Sequence, residues 1–95
     1  MAAYIIVQVE VTDPEPYDTY RKQVAPTLEA YGGEFVVRGG DMEVLEGDWP
    51  WPRCVVLRFK DVETAKAWHG SEAYAPLKAL RQSASKGNMI VVDGV

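Results

Sequence analysis

The sequence predicts an α+β fold, in which a four-stranded antiparallel sheet carries helices on one face. Half-buried strands are indicated where apolar and polar residues alternate, at 4–11, 34–38, 53–60 and 89–93. Amphipathic helices are indicated after the first and third strands, where apolar residues recur at three- and four-residue steps. Right-handed β-α-β crossovers applied to this β-α-β-β-α-β order give a ferredoxin-like sheet with both helices on the same face.

Size and composition restrict the class of protein. The 95 residues, 47 per cent of them hydrophobic, are expected to form one domain spanning 1–95. Ten basic and 14 acidic residues give a net charge of −4 without any Lys/Arg cluster, which disfavours nucleic acid as a partner. The N-terminal apolar run is short, alternating and without a basic segment, so no signal peptide or membrane span is predicted and a cytoplasmic location is expected.

The first strand and the first helix are predicted from the N-terminal third. The strand at 4–11 has one dry face and one mixed face. Asp13 is the expected N-cap of the helix, with Pro14 at its first position. The helix should bend rather than end at Pro26 and should be capped by Gly32-Gly33. Its buried stripe consists of Tyr17, Tyr20, Val24, Leu28 and Tyr31.

The second strand is predicted to lead into a hairpin. Strand 34–38 ends at Gly39-Gly40-Asp41, and an arm at 42–45 is expected to extend the hairpin. A loop follows at 46–52, since two prolines and a Gly-Asp pair exclude both a helix and a central strand. The third strand at 53–60 contains Cys54, the single cysteine, which is expected to be a buried and inert thiol.

Two helical pieces and a strand complete the predicted fold. Asp61 is the expected N-cap of a helix at 61–68, and Gly70 separates this helix from another that Ser71 opens. Gly87-Asn88 is predicted as a turn into the last strand, at 89–93.

The sheet face opposite the helices is expected to be uncovered. It carries Tyr4, Ile6, Gln8, Val56 and Arg58, a partly apolar surface larger than monomers usually leave bare. A second copy is therefore expected to cover this face and form a homodimer. Across a two-fold axis Glu10 would meet Arg58 or Lys60 of the other copy, and each such pair would occur twice.

A set of residues spread over nearly the whole chain resembles a known family. The set consists, in order, of Gly32-Gly33, Arg38-Gly39-Gly40, Leu45-Glu46-Gly47, Arg53 with the apolar strand after it, Trp68, Ser71, Tyr74 and Arg81. In these residues the sequence resembles domain-of-unknown-function family 1330, in the dimeric α+β barrel superfamily. The resemblance implies a protomer that dimerises sheet to sheet and has a small cavity between helices and sheet, with no established activity. Where the family most often has Tyr after the Trp, this chain has His69.

The charged residues of this set are candidates for binding a ligand. A guanidinium group of Arg38, Arg53 or Arg81 in a partly dry cleft is suited to hold a carboxylate or an enolate bidentately. The alternative is an ion pair without chemistry, for example Arg53 with Glu46 across the loop, and such pairs are the commoner use of these charges.

His69 is the candidate for proton transfer because it is the only imidazole. The alternative, which we favour, is a histidine that stabilises the end of its helix through the last carbonyl groups before Gly70. A metal site is not expected, since the sequence has no Cys/His ligand set.

Aromatic residues are predicted to converge between the helices and the sheet: Tyr17, Tyr20, Tyr31, Trp68 and Tyr74. They could orient a small planar ligand or simply form the core. A small cavity is an intermediate solution, because five polar-tipped rings are difficult to bury completely. Trp49 and Trp51 would either cap this cavity or serve the dimer.

Two functions therefore stay open. The first is a homodimeric small-molecule-binding protein, extending to a cofactor-independent acid/base enzyme on a small carbonyl, carboxylate or aromatic substrate. In it His69 is the catalytic residue and the ligand-binding residues are Arg38, Glu46, Arg53, Trp68, Ser71, Tyr74 and Arg81. The second is a non-catalytic dimeric binding or accessory module. Neither function requires a cofactor.

Overall fold

The computed structural model describes residues 1–95 and contains one four-stranded sheet. The elements are β1 Ala3–Val11, α1 Pro14–Glu29, β2 Glu34–Arg38, β3 Arg53–Phe59, α2 Val62–His69, α3 Ala75–Ala84 and β4 Ser85–Asp93. The strands lie in the order β2-β3-β1-β4, and every neighbouring pair is antiparallel. The predicted ferredoxin-like α+β fold is confirmed. No helix has the length and apolar character that crossing a membrane requires.

The hydrophobic core lies between the helices and one face of the sheet. In β1, Ile5, Val7 and Val9 are at most 6% exposed, whereas the residues between them are half-buried. The buried face of α1 contributes four members of its predicted stripe, and Tyr31 packs partly buried against the core. Trp68 from α2 is fully buried at the centre. Burial of such large side chains supplies most of the driving force for folding.

The helix ends follow the predicted signals with one difference. The Asp61 carboxylate accepts a hydrogen bond from the Thr64 backbone N–H at 2.7 Å, as an N-cap does. Asp13 is the N-cap residue of α1, as predicted, although its side chain makes no capping hydrogen bond. Its backbone N–H instead donates to the Ala84 carbonyl at 3.0 Å, which fixes the entry of α1 against the end of α3.

The C-terminal end of α1 lies where the glycines predict it. The helix continues past Pro26 to Glu29. Gly32 has a φ of 68°, in the left-handed region that glycine adopts readily, and the Gly33 N–H donates to the Leu28 carbonyl at 2.8 Å.

The predicted arm at 42–45 is wrong. No strand lies between Arg38 and Arg53, and all residues from 41 to 50 are exposed. The β2-β3 ladder ends where the Gly39 N–H donates to the Cys54 carbonyl at 2.9 Å. Beyond that bond the facing segment contains prolines, which cannot donate to a ladder, so residues 39–52 form one exposed loop.

The predicted turn at Gly87-Asn88 is also wrong. Strand β4 begins at Ser85, directly after α3, and Gly87 lies inside it opposite Val9. A Cβ at Gly87 would overlap the Gln8 carbonyl oxygen and come within 2.9 Å of the Val9 Cα. This glycine therefore permits close approach of two backbones and does not turn the chain.

The sheet face away from the helices is open and carries an apolar row. The strand register places Val37, Val56, Ile6 and Ile90 side by side, one from each strand. Ile90 is 55% exposed and Val37 is 37% exposed. Cys54 alternates onto the same face and is half-buried, which corrects the expectation of a fully buried thiol.

Candidate functional site

A small cavity of about 30 Å³ lies between α1, α2 and the sheet. Its walls are mainly apolar, and they include the aromatic side chains of Tyr17, Tyr20 and Trp68. No acidic residue lines the cavity, and its four charged residues are Arg21, Arg38, Arg53 and Arg81. A cavity of this size has room for about one or two water molecules or for a group as small as a carboxylate.

The cavity adjoins a larger open groove. Tyr17, Arg21 and Arg53 line both spaces, and the groove has a volume of about 470 Å³. Glu15 and Asp18 from the first turns of α1 form part of the outer wall of the groove. The two neighbouring spaces thus differ in charge, since the charged residues of the cavity are all cations, whereas the groove also has carboxylates.

Arg53 has the least satisfied polar group of the site. It is the first residue of β3, paired with Val9, and its guanidinium lies against Gly39, where any Cβ would overlap it. Its Cζ is 5.7 Å from the centre of the Tyr17 ring. The Arg53 Nε is buried and has no hydrogen-bond partner in the chain. An unsatisfied buried donor of this kind costs about 1–3 kcal/mol, so the site favours an added acceptor.

The other arginines of the cavity are positioned by the chain without acidic partners, apart from Arg21, which lies 3.5 Å from Asp18. Arg38 donates to the Arg21 carbonyl at 2.7 Å, and its Cζ lies 4.1 Å from the centre of the Phe35 ring. The remaining ion pairs of the chain are Lys22–Asp18 and Arg58–Glu34. Three guanidinium groups at the cavity, those of Arg38, Arg53 and Arg81, therefore have no carboxylate to neutralise them.

Two buried tyrosines form a hydrogen-bond chain with Arg81 beside the cavity. The Arg81 Nε donates to the Tyr74 hydroxyl at 3.3 Å, and the hydroxyl oxygens of Tyr74 and Tyr20 are 2.9 Å apart. Burial, followed by the neighbouring Tyr74 hydroxyl, raises the pKa of Tyr20 far above its ordinary range. Tyr20 therefore keeps its proton at neutral pH.

Trp68 serves as a wall of the cavity. Its ring centroid is 4.0 Å from that of Tyr74, and its indole Nε1 donates to the Thr27 hydroxyl at 3.1 Å. The Thr27 hydroxyl in turn donates to the Val24 carbonyl at 2.7 Å. The only polar group of Trp68 is thus satisfied inside the chain, and the ring presents an apolar surface to a ligand.

Comparison with known proteins assigns the chain to a family. The sequence profile of a domain of unknown function (DUF1330) matches residues 2–95. The chain belongs to the DUF1330 family. No protein with curated annotation matches its sequence.

Solved structures share the fold of this DUF1330 protein. A protein of unknown function from Rhodopseudomonas palustris has 19% identity and a TM-score of 0.80, over 99% of this chain and 82% of that one. A dimeric ferredoxin-like protein of unknown function from Jannaschia sp. CCS1 has 15% identity and a TM-score of 0.70, over 99% and 100%. SnoaB, a cofactor-independent oxygenase from Streptomyces nogalater, has 12% identity and a TM-score of 0.66, over 99% and 93%. At these identities the similarity shows the fold alone.

Within this DUF1330 protein, five of the seven residues predicted as ligand-binding lie at the cavity or directly behind it. Arg38, Arg53, Trp68 and Arg81 line the cavity. Tyr74 lies behind it, bonded to Tyr20.

Two predicted residues lie outside the cavity. The Ser71 hydroxyl donates to the Trp68 carbonyl at 2.8 Å and accepts from the Tyr74 N–H at 3.2 Å, which joins α2 to α3. Glu46 is exposed in the 39–52 loop and forms no ion pair with Arg53. Trp49 and Trp51 in the same loop do not line the cavity either.

His69 is placed apart from the cavity. It is the last residue of α2, and its ring is 6.4 Å from Trp68 and 6.1 Å from Tyr74 between ring centroids. It lines a groove beside β4 instead. Burial, followed by the charges of Lys78 and Arg81, lowers its pKa, so the ring is neutral at pH 7. Its role as a general base stays a prediction, and from this position it would act in the β4 groove.

Sequence reasoning missed Arg21 as a lining residue and missed the bond between Tyr20 and Tyr74. Arg21 follows Tyr17 by four positions, so it lies on the same side of α1, and this spacing could have identified it. Tyr20 was predicted as one of the aromatic residues that converge between the helices and the sheet and could orient a ligand, but without a partner for its hydroxyl. Its bond to Tyr74 joins residues 54 positions apart, for which the sequence carries no local signal.

Proposed function

We propose that this DUF1330 protein is a homodimer that binds a small carboxylate or enolate in the cavity beneath α1. The observation that carries this proposal is the buried Arg53 Nε, a charged donor without a partner in the chain. Carboxylate oxygens satisfy such donors, and the planar guanidinium binds them bidentately. The apolar walls strengthen the interaction because they lower the local dielectric.

The size and the charges of the site favour a monocarboxylate as the ligand. The inner cavity of about 30 Å³ takes the carboxylate, and the groove of about 470 Å³ takes the rest of the molecule. Glu15 on the groove wall forms no ion pair and disfavours a second negative charge there, whereas Asp18 is paired with Arg21 and Lys22. Neutral or cationic ligand bodies are therefore favoured over dicarboxylates.

A thermal-shift series tests the binding. Acetate, pyruvate, benzoate and their amides are added to the wild type, to Arg53→Gln and to the control Lys22→Gln, which removes an exposed cation that lines neither the cavity nor the groove. A carboxylate at 100 times its Kd should stabilise the wild type by about 2.7 kcal/mol. The shift should persist in Lys22→Gln and disappear in Arg53→Gln. Absence of a shift with every carboxylate, or equal shifts in both variants, would contradict the proposal.

The homodimer is proposed from the open sheet face. The row Val37, Val56, Ile6 and Ile90 crosses all four strands and is exposed at both ends. The dimeric protein from Jannaschia has the same fold, which supports a second copy as the occupant. Burial of about 1,200–2,000 Å² at about 25 cal/mol per Å² of apolar area supplies ample gross driving force.

The structure bears on which residue of the other copy pairs with Glu10, for which Arg58 and Lys60 are the two candidates. Arg58 lies 3.5 Å from Glu34 on the neighbouring strand, so this cation is already engaged within its own chain. Lys60 is then the better partner for Glu10 of the other copy.

Light scattering coupled to size-exclusion chromatography tests the dimer. The wild type should have twice the single-chain mass of 10.6 kDa. Val56→Asp places an unpaired charge in the proposed interface and should give monomers. Ala79→Asp, at an exposed position of α3 in the helix layer, is the control and should stay dimeric. A wild-type mass near 10.6 kDa would exclude the dimer.

Acid/base catalysis of enolisation in the same cavity is a second candidate, with water as the proton acceptor, because neither a carboxylate nor an imidazole lines the cavity. The observation that favours it is the protonated Tyr20 hydroxyl beside cations, since this combination can stabilise an enolate. SnoaB, which has the same fold, is a cofactor-independent oxygenase. Exchange of the pyruvate methyl protons in D₂O, followed by NMR, tests the catalysis. If the exchange is no faster with the protein than without it, catalysis is excluded for this substrate and the protein is a non-catalytic binding module.

A further inference from the structure

We infer that Tyr20 donates a hydrogen bond to the anion in the cavity, and that Arg81 and Tyr74 orient its hydroxyl for this purpose. The inference rests on the proposed binding of a carboxylate. It adds a specificity-determining residue and a fixed direction of hydrogen bonding to the site.

Arg81 sets the donor-to-acceptor direction of the hydrogen bonds that run through Tyr74 to Tyr20. A guanidinium N–H can only donate, so the Tyr74 oxygen is the acceptor of the 3.3 Å bond. The Tyr74 hydroxyl then needs an acceptor for its own proton. Tyr74 is fully buried, and the Tyr20 oxygen at 2.9 Å is the only acceptor within hydrogen-bond distance of that hydroxyl. With the opposite orientation the Tyr74 proton would be buried without an acceptor, which is strongly unfavourable.

The hydroxyl proton of Tyr20 consequently has no acceptor within the protein. Its oxygen receives the bond from Tyr74, and its own O–H has no other acceptor in the chain. Tyr20 is a lining residue of the cavity, which is where an acceptor can be added. Because burial raises its pKa, this hydroxyl remains a donor and does not become a base. The Arg81 guanidinium, at the start of this hydrogen-bond chain, polarises both tyrosine hydroxyls and makes the Tyr20 hydroxyl a stronger donor.

Donors predominate in the resulting site. The cavity is lined by four arginines and Tyr20, and no carboxylate or amide side chain lines it; the tyrosine hydroxyl oxygens are its side-chain oxygen acceptors. A carboxylate satisfies such a site with acceptors only. An amide of the same shape would bring two protons, for which the lining offers only tyrosine hydroxyl oxygens as side-chain oxygen acceptors, so the site should bind it more weakly.

NMR titration with acetate and with acetamide tests the inference. Tyr20→Phe should weaken acetate binding about 10- to 100-fold, as expected for loss of a hydrogen bond to a charged group. Tyr74→Phe should weaken it less, because Tyr74 is a positioning residue that acts through Tyr20. Tyr31→Phe is the matched control and should bind acetate as the wild type does, since Tyr31 does not line the cavity. The acetate-to-acetamide preference should fall in Tyr20→Phe and stay unchanged in Tyr31→Phe.

The outcomes separate the inference from the function beneath it. If the wild type binds acetate, Arg53→Gln does not, and Tyr20→Phe binds normally, the donor role of Tyr20 is wrong and the anion site stands. If the wild type does not bind acetate, both are wrong. Should Tyr20→Phe fail to fold, the buried hydroxyl proton of Tyr20 in the wild type gives a second readout. It should move downfield when acetate binds, and an unmoved resonance would overturn the inference.

Discussion

At the residue scale, Thr27 holds the central tryptophan through one hydroxyl. Thr27→Val keeps the shape of the side chain but removes the acceptor of the fully buried Trp68 indole N–H. The free energy of unfolding should fall by about 1–3 kcal/mol, measured by urea denaturation. Thr27→Ser retains the hydroxyl and should cost less. Equal stabilities of Thr27→Val and the wild type would show that the bond contributes nothing.

The pH dependence of stability should reveal the environment of His69. Burial, Lys78 and Arg81 lower its pKa in the folded chain, so the unfolded chain binds the proton more readily. Its contribution is fully present above pH about 6.5 and is lost as the pH falls toward the folded pKa. The melting temperature of the wild type should therefore decrease relative to His69→Gln between pH about 7 and about 5. Parallel curves for the two proteins would contradict this pKa shift.

Part of the site was predictable from single residues. Arg38, Arg53 and Arg81 carry charges whose chemistry suits anions, and the structure brings all three to one cavity. The sequence could not tell whether acidic residues neutralise them, because that depends on the path of the 39–52 loop. The direction of the Arg81-Tyr74-Tyr20 hydrogen-bond chain was equally inaccessible, since it depends on contacts at 3.3 and 2.9 Å, the second of them between residues 54 positions apart.

At the element scale, Gly87 decides how closely β4 approaches β1. Gly87→Ala should force the two backbones apart, because its Cβ would overlap the Gln8 carbonyl oxygen. The expected cost is about 1–3 kcal/mol in the free energy of unfolding, as for other overpacked sites. Gly40→Ala is the control, since a Cβ there meets no atom within 4 Å, and should change stability by less than about 0.5 kcal/mol. A Gly87→Ala protein as stable as Gly40→Ala would mean that the strands can separate freely.

Elements with a strong period were predicted well, whereas the start of β4 and the arm at 42–45 were not. The alternation in β1 and the stripe of α1 each follow from contact with one core. The start of β4 was missed because Gly-Asn is typical of turns. Only the pairing with β1 shows that Gly87 is needed because the two backbones approach each other closely. The predicted arm at 42–45 had apolar residues but lacked a partner strand, which no local pattern reveals.

At the scale of the whole molecule, Cys54 can report on assembly. Its side chain is half-buried on the open sheet face, which the proposed dimer covers. Reaction with a thiol reagent should be slow in the dimer and should accelerate on dilution. Val56→Asp should react fast at all concentrations, and Ala79→Asp should behave as the wild type. A wild-type rate independent of concentration and equal to that of Val56→Asp would argue that this face stays uncovered.

The position of β1 in the sheet also determines how the molecule folds. β1 is the first strand along the chain, yet it lies between β3 and β4, and its residues Ala3 and Val11 pair with Asp93 and Ser85 near the other end of the sequence. A central strand with such distant partners must wait until long loops close, and this entropy loss precedes the gain from pairing. Refolding should therefore be slow for a protein of this size, on a time scale of about milliseconds to seconds. Until β4 docks, both β1 and the apolar row on the open face are available to other chains, so refolding yield should fall as protein concentration rises.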